Sequence, residues 1–219
     1  MTTARETVLA RVRAALAAAP GPGPDDPPSV EPVPVERAYR RDRTAPDAER
    51  LDLLTDRLLD YKARVRTCTA AGTAATLADV LTGLKARRVG VPAGLDPAWL
   101  AGWDGEAVPD GPEVLPADLG ALDAVVTAST AASAETGTIF LDGSADQGRR
   151  ALSLVPDVHV CVVDLSTVAV GVPEALARLA PHRPTTLISG PSATSDIELE
   201  RVEGVHGPRT LIVVIRTDA

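Results

Sequence analysis

Aromatic residues are nearly missing from this chain, at 2% of 219 residues. Its core must therefore be built from Ala, Val and Leu, and it offers almost no surface on which nucleobases could stack. Cysteine is equally scarce. Cys68 and Cys161 stand far apart and form no C-x-x-C pair, so the chain alone cannot hold an iron–sulfur cluster or a structural zinc ion. Both are expected as buried apolar thiols. The three histidines, His159, His182 and His206, lack the i, i+4 spacing of a helical metal pair, and no metal site is expected. Basic residues are outnumbered 22 to 30, for a net charge of −8. Such a chain repels phosphate backbones, which argues against a nucleic-acid partner. A small anion held by local dipoles is still compatible with it. No apolar run approaches membrane-spanning length. The Ala-rich start is interrupted by Arg5, Glu6, Arg11 and Arg13, unlike a signal peptide. A soluble, cytoplasmic protein is the expectation.

Hydrophobic residues reach 45%, an ordinary globular value that allows a sizeable core. Residues 3–19 read as an amphipathic helix, with Val8, Leu9, Val12 and Leu16 at helical spacing and Pro20 as its stop. Pro and Gly dominate residues 20–34, the signature of a linker. The expected organisation is an N-terminal helix (1–19), a Pro-rich linker (20–44) and one domain (45–219). The helix is expected to pack on its own domain or on an identical subunit, making a homo-oligomer, rather than to serve as a free arm.

Further helices are predicted over 47–61, 73–85, 97–100, 146–152 and 173–179. Strands are predicted over 63–68, 87–91, 122–127, 138–141, 158–164, 185–188 and 210–215. Strands starting near 87, 122, 158 and 186 alternate with helical segments. This pattern predicts an α/β fold with a largely parallel sheet and helices on both faces. The strands at 138 and 210 are expected to pair differently, one of them at a hairpin or edge. No G-x-G-x-x-G turn and no Walker loop is present, so a nucleotide-binding reading lacks its usual physical support.

The chemistry is concentrated in three places. The first is Ser189-Gly190-Pro191-Ser192-Ala193-Thr194-Ser195-Asp196-Ile197-Glu198. Backbone N–H groups near Gly190, with the Ser192 and Thr194 hydroxyls, could cradle a carboxylate or phosphate. Pro191 removes one donor from that row. The second is Glu135-Thr136-Gly137, a carboxylate beside a residue that lets a ligand or chain approach closely. Glu135 could be a base, a nucleophile or an acceptor, or simply cap a turn. The third is His206 between Gly204 and Pro208, an imidazole suited to moving protons, or a structural residue. Ser129 and Thr130, after a buried strand, form a weaker candidate. Glu135, the hydroxyls near Thr194 and His206 are expected to converge on one hollow at the rim of the sheet.

Four segments then carry a resemblance over residues 45–216: Ala134-Glu135-Thr136-Gly137-Thr138-Ile139, Gly148-Arg149-Arg150-Ala151-Leu152-Ser153-Leu154-Val155-Pro156, Ile188 to Glu198, and Gly204-Val205-His206-Gly207-Pro208-Arg209. Together they resemble the LUD-domain family, in particular its LutC/YkgG type. The resemblance implies a NagB/RpiA/CoA-transferase-like α/β fold. It also implies a part in oxidising L-lactate to pyruvate with iron–sulfur partner subunits, this chain carrying no cofactor itself. Under that reading Glu135 and His206 are candidate catalytic residues. Thr136, Gly137, Ser189, Gly190, Ser192, Thr194 and Asp196 would bind the small carboxylate. Two other readings stay open: an acyl-CoA transferase or sugar-phosphate enzyme using Glu135 as nucleophile, and an assembly scaffold.

Overall fold

The computed structural model describes residues 3–18, 36–195, 201–203 and 207–218. The chain divides into two units, Met1–Tyr39 and Arg40–Ala219. The first contains helix α1 (Ala4–Ala18). Its start is closed reciprocally: Thr3 N–H donates to Glu6 Oε2 (2.7 Å) and Glu6 N–H to Thr3 Oγ1 (3.3 Å). The Pro-rich stretch expected as a linker falls mostly outside the described residues.

The second unit begins with α2 (Asp47–Asp60), β1 (Arg64–Cys68), α3 (Thr73–Gly83) and β2 (Arg88–Val91). A 3-10 turn (Pro97–Leu100), β3 (Glu106–Pro109), α4 (Pro116–Gly120), β4 (Ala124–Thr127), β5 (Ala131–Ser133) and β6 (Thr138–Leu141) follow. Then come α5 (Arg150–Leu154), β7 (Val158–Asp164), a second 3-10 turn (Leu165–Thr167), β8 (Val168–Ala169) and α6 (Val172–Leu176). The last elements are β9 (Thr186–Ile188), β10 (Ala193–Ser195), β11 (Arg201–Glu203) and β12 (Thr210–Arg216).

Six strands form a parallel sheet in the order β1-β12-β7-β4-β2-β3. The inner strands are apolar on both faces, because both faces are covered. In β7 and β12 the five central residues are all buried, and so is all of β4. The edges are charged instead, with exposed Arg64 and Arg66 on β1 and Glu106 on β3, which discourages pairing with another sheet. One face packs Val160, Val162, Ile212 and Val214 against Leu77 and Leu81 of α3 and against Trp103. The other packs Cys161, Val163, Val213 and Ile215 against Leu54 and Leu58 of α2, and against Ala132, Ile139 and Leu141 of a second sheet. That sheet has the order β8-β5-β6-β9, while β10 and β11 pair as a separate antiparallel ribbon.

The α/β architecture with a parallel sheet between helices is as the sequence predicts. Strand placement differs in two respects. The run at 186–188 is not in the parallel sheet: β9 pairs antiparallel with β6, Ile139 opposite Ile188. As an outer strand it leaves Leu187 56% exposed. The run at 210–216, expected to pair differently, lies inside the parallel sheet between β1 and β7, while the run at 138 does form a hairpin, with β5. The expected helix over 146–152 starts later, at Arg150. Local side-chain bonds capture the preceding residues: Ser144 N–H donates to Asp142 Oδ1 (3.1 Å), and Asp142 N–H to Gln147 Oε1 (2.8 Å).

Candidate functional site

A cavity of about 230 Å3 opens between the end of α5, the start of β7 and the Ser189–Ser192 loop after β9. Ser153, His159, Thr186, Ser189 and Ser192 supply its polar wall. Alternation along β7 puts His159 on the same face as Cys161 and Val163, beneath the second sheet. It is only 1% exposed.

His159 is held from one side. Its Nε2 lies 2.8 Å from Thr127 Oγ1 on β4, while its Nδ1 is buried with no partner among the described residues. Thr127 Oγ1 also reaches Cys161 Sγ at 3.8 Å, and Cys161 Sγ reaches the Ala128 carbonyl at 3.8 Å. The tautomer that satisfies this chain best has Nε2–H donating to Thr127, Thr127 to the sulfur and the thiol to Ala128. Nδ1 is then a bare acceptor. Burial pushes the His159 imidazole down to about 4 and the Cys161 thiol up to about 12. Both are neutral near pH 7, so the site offers a neutral base rather than an imidazolium.

A row of hydroxyls runs into the rim of the cavity. Thr136 Oγ1 donates to Ser133 Oγ (2.9 Å) and lies 2.8 Å from Thr138 Oγ1, which lies 2.9 Å from Ser189 Oγ. The β5–β6 hairpin thus positions the Ser189 hydroxyl. Two glycines make this approach feasible. Gly137 has φ +59, and a Cβ there would lie 2.8 Å from Arg57 Cβ; Gly190 has φ +84, and a Cβ there would lie 2.6 Å from Tyr61 Cβ. Only glycine suits both the dihedral and the space. Both are contacts to the C-terminal end of α2, which braces the hairpin and the loop together.

Glu135 lies apart from this cavity. The Glu135 carboxylate pairs with Arg43 Nη1 at 2.7 Å, with 48% of its side chain exposed, and it does not line the cavity. Arg43 N–H in turn donates to Glu174 Oε1 (2.7 Å), tying the segment before α2 to α6. Thr194 lies in β10, opposite Val202 of β11. Asp196, Glu198 and His206 lie outside the described residues. Ser129 and Thr130 are engaged structurally, donating to the Val162 carbonyl (3.1 Å) and to Asp142 Oδ1 (2.9 Å).

His159 is the residue that sequence reading passes over. It stands in Val158-His159-Val160-Cys161-Val162-Val163, an apolar run that reads as plain core. The available signal was a polar residue inside a strand expected to be buried, which is more informative than the apolar residues around it.

Residues 96–215 match the LUD domain family. The chain belongs to that family. This matched span contains His159, the hydroxyl row and all of the cavity wall. Lactate utilization protein C of Deinococcus radiodurans is 47% identical over 194 residues, which span 86% of this chain and 87% of that protein. The uncharacterized protein YkgG of Escherichia coli K12 is 36% identical over 92 residues, covering 38% of this chain and 39% of that one. A crystal structure of a DUF162 family protein from Deinococcus radiodurans superposes with a TM-score of 0.67 at 40% identity, covering 78% of this chain and 99% of that one. Among the described residues, no helix is long and apolar enough to cross a membrane. Nor does any group of three or more His, Cys, Asp or Glu residues there stand ready to hold a metal ion.

Proposed function

We propose that this LUD-domain chain serves in lactate utilisation, as a subunit without a redox centre that works beside iron–sulfur partner subunits. Its cavity beneath Ser189 and Ser192 takes the 2-hydroxy or 2-oxo acid. The name of the relative that matches most of the chain supports the setting. The observation that carries the binding reading is His159, a buried neutral imidazole with an unpartnered Nδ1 in the wall of a small, hydroxyl-lined cavity. A buried polar atom without a partner is costly, and a ligand hydroxyl would relieve that cost. The Ser153 and Ser189 hydroxyls in its wall already bond the Arg150 carbonyl (3.2 Å) and Thr138 Oγ1 (2.9 Å), so a bound carboxylate is held by hydroxyls that turn from these partners. Lactate has both groups. Pyruvate lacks the hydroxyl, so His159 favours lactate.

Calorimetric titration of the full chain with L-lactate and with pyruvate tests this. Saturable binding of lactate at millimolar concentration is expected, with pyruvate weaker by about tenfold, the worth of one buried hydrogen bond. Absence of heat and of any thermal shift at about 10 mM of either acid removes the binding reading. Affinity capture from cells, with or without co-purifying iron–sulfur proteins, tests the partner reading separately.

The acyl-transfer alternative needs Glu135 as a free nucleophile near a bound substrate. Its ion pair with Arg43 and its place away from the cavity give that reading no support. No observation favours the scaffold reading over the one proposed.

A further inference from the structure

The segment Gly148-Arg149-Arg150 carries part of the family resemblance, yet nothing above uses it. It borders a second hollow of about 520 Å3, more than twice the size of the cavity of about 230 Å3. The two share Ser153 and Thr186 in their walls. We propose that this hollow, framed by Arg149, Arg150 and Arg183, is a second binding site that takes a phosphorylated small molecule.

Three guanidinium groups meet there in a chain whose net charge is −8. Arg149 is fixed: its Nε donates to both Asp110 oxygens (2.9 and 3.0 Å), and its Nη2 to the Val114 carbonyl. The Asp110 side chain is 4% exposed, so a buried carboxylate holds this guanidinium at the hollow. Its Nη1 has no partner among the described residues. Arg183 Nη1 donates to Ser144 Oγ (2.9 Å) and lies 3.8 Å from Asp142 Oδ2, while its Nε and Nη2 have no partner among the described residues. Arg150 is exposed, and its side chain makes no ion pair or hydrogen bond among the described residues. Asp142 also lines the hollow. Burial works to raise its carboxyl, but hydrogen bonds from Ser144 and Thr130, with the Arg183 charge, hold it below the ordinary range. Asp110 and Asp142 each hold one of these cations and Glu113 also acts on Arg149, so what the hollow offers an anion is the Arg150 guanidinium together with the remaining N–H donors of Arg149 and Arg183.

Planar guanidiniums with several free N–H groups match an oxyanion that bears more than one charge and several acceptor oxygens. A phosphate ester has three such oxygens, whereas a monocarboxylate has two and a single charge. The larger volume leaves room for the organic part of such a molecule. The shared wall at Ser153 and Thr186 sets the two ligands side by side. This site does not depend on lactate as the occupant of the smaller cavity.

The test is calorimetry on the full chain at low ionic strength, with pyrophosphate, inorganic phosphate and citrate as probes. Pyrophosphate is expected to bind saturably and to weaken with added salt. Arg150→Ala and Arg183→Ala should each weaken it by about tenfold or more, as loss of a charge-assisted contact does. Both side chains lie at the surface; thermal unfolding of Arg150→Ala should match that of the parent, while Arg183→Ala, which takes a partner from Ser144 and Asp142, should stay folded with a modest loss of stability. Their L-lactate titration should also be unchanged, which separates failure here from failure of the lactate reading. The proposal is overturned if pyrophosphate shows no saturation by about 10 mM. It is also overturned if both variants bind pyrophosphate as the parent does, or if citrate binds as tightly as pyrophosphate, which would make this a polycarboxylate site.

Discussion

His159 makes a prediction that reaches from burial to pH. The imidazole is pushed by burial from its ordinary 6.5 to about 4. Unfolding returns it to water and to the ordinary value. Between these two pH values the unfolded chain carries a proton that the folded chain lacks, so stability falls as pH falls. The contribution is complete above about 6.5 and is withdrawn towards 4. At about pH 4.5 the linkage amounts to about 2.5 kcal/mol relative to neutral pH. Carboxylates also titrate in this range, so the parent's pH profile alone does not isolate the effect. His159→Gln removes the titrating group while keeping a polar side chain opposite Thr127. Urea unfolding of parent and variant at about pH 7.5 and pH 4.5 gives a double difference in which the carboxylates cancel. The parent should lose about 2 to 3 kcal/mol more than the variant on acidification. Equal losses would refute the reasoning, because they would mean that the imidazole keeps its proton in the fold and is solvated there. The same burial predicts an effect of ligand. A carboxylate entering the cavity favours the imidazolium, so lactate binding should take up protons between about pH 4 and 6.5, visible as a buffer-dependent heat.

Gly190→Ala combines a left-handed dihedral with a Cβ at 2.6 Å from Tyr61 Cβ; it should destabilise the protein by about 1 to 3 kcal/mol in urea unfolding and weaken lactate binding through the displaced loop. Glu135→Gln should do neither. It removes a half-exposed ion pair with Arg43, worth less than about 1 kcal/mol, and lactate titration should be unchanged.

The sequence displayed the strands whose burial is set by their own residues. The run from Val158 to Asp164 and the short strand at Thr138–Leu141 appear where the pattern puts them. It did not display which sheet a short apolar run joins. Residues 186–188 and 210–216 look alike as isolated runs, and pairing over long separations decides between them: β9 with β6, β12 with β1 and β7. The strands β3, β5 and β8 are too short or too rich in Ala and Pro to produce a periodic signal. At the site, Ser189, Gly190 and Ser192 were legible as a polar loop after a strand, and they do line the cavity. His159 was hidden by its apolar neighbours. The separation of Glu135 from that cavity was hidden too, because its direction depends on Arg43, remote in sequence.

The last turns of α2 touch both glycines, one on the hairpin and one on the rim of the cavity. A single lever therefore supports two parts of the site that are 53 positions apart in the chain (137 and 190). Anything that tilts this helix displaces the Thr138 and Ser189 hydroxyls together, and an occupant that steadies those hydroxyls steadies the helix in return. Amide hydrogens near Leu54 and Leu58 should then exchange more slowly when the cavity is filled, although neither residue lines it.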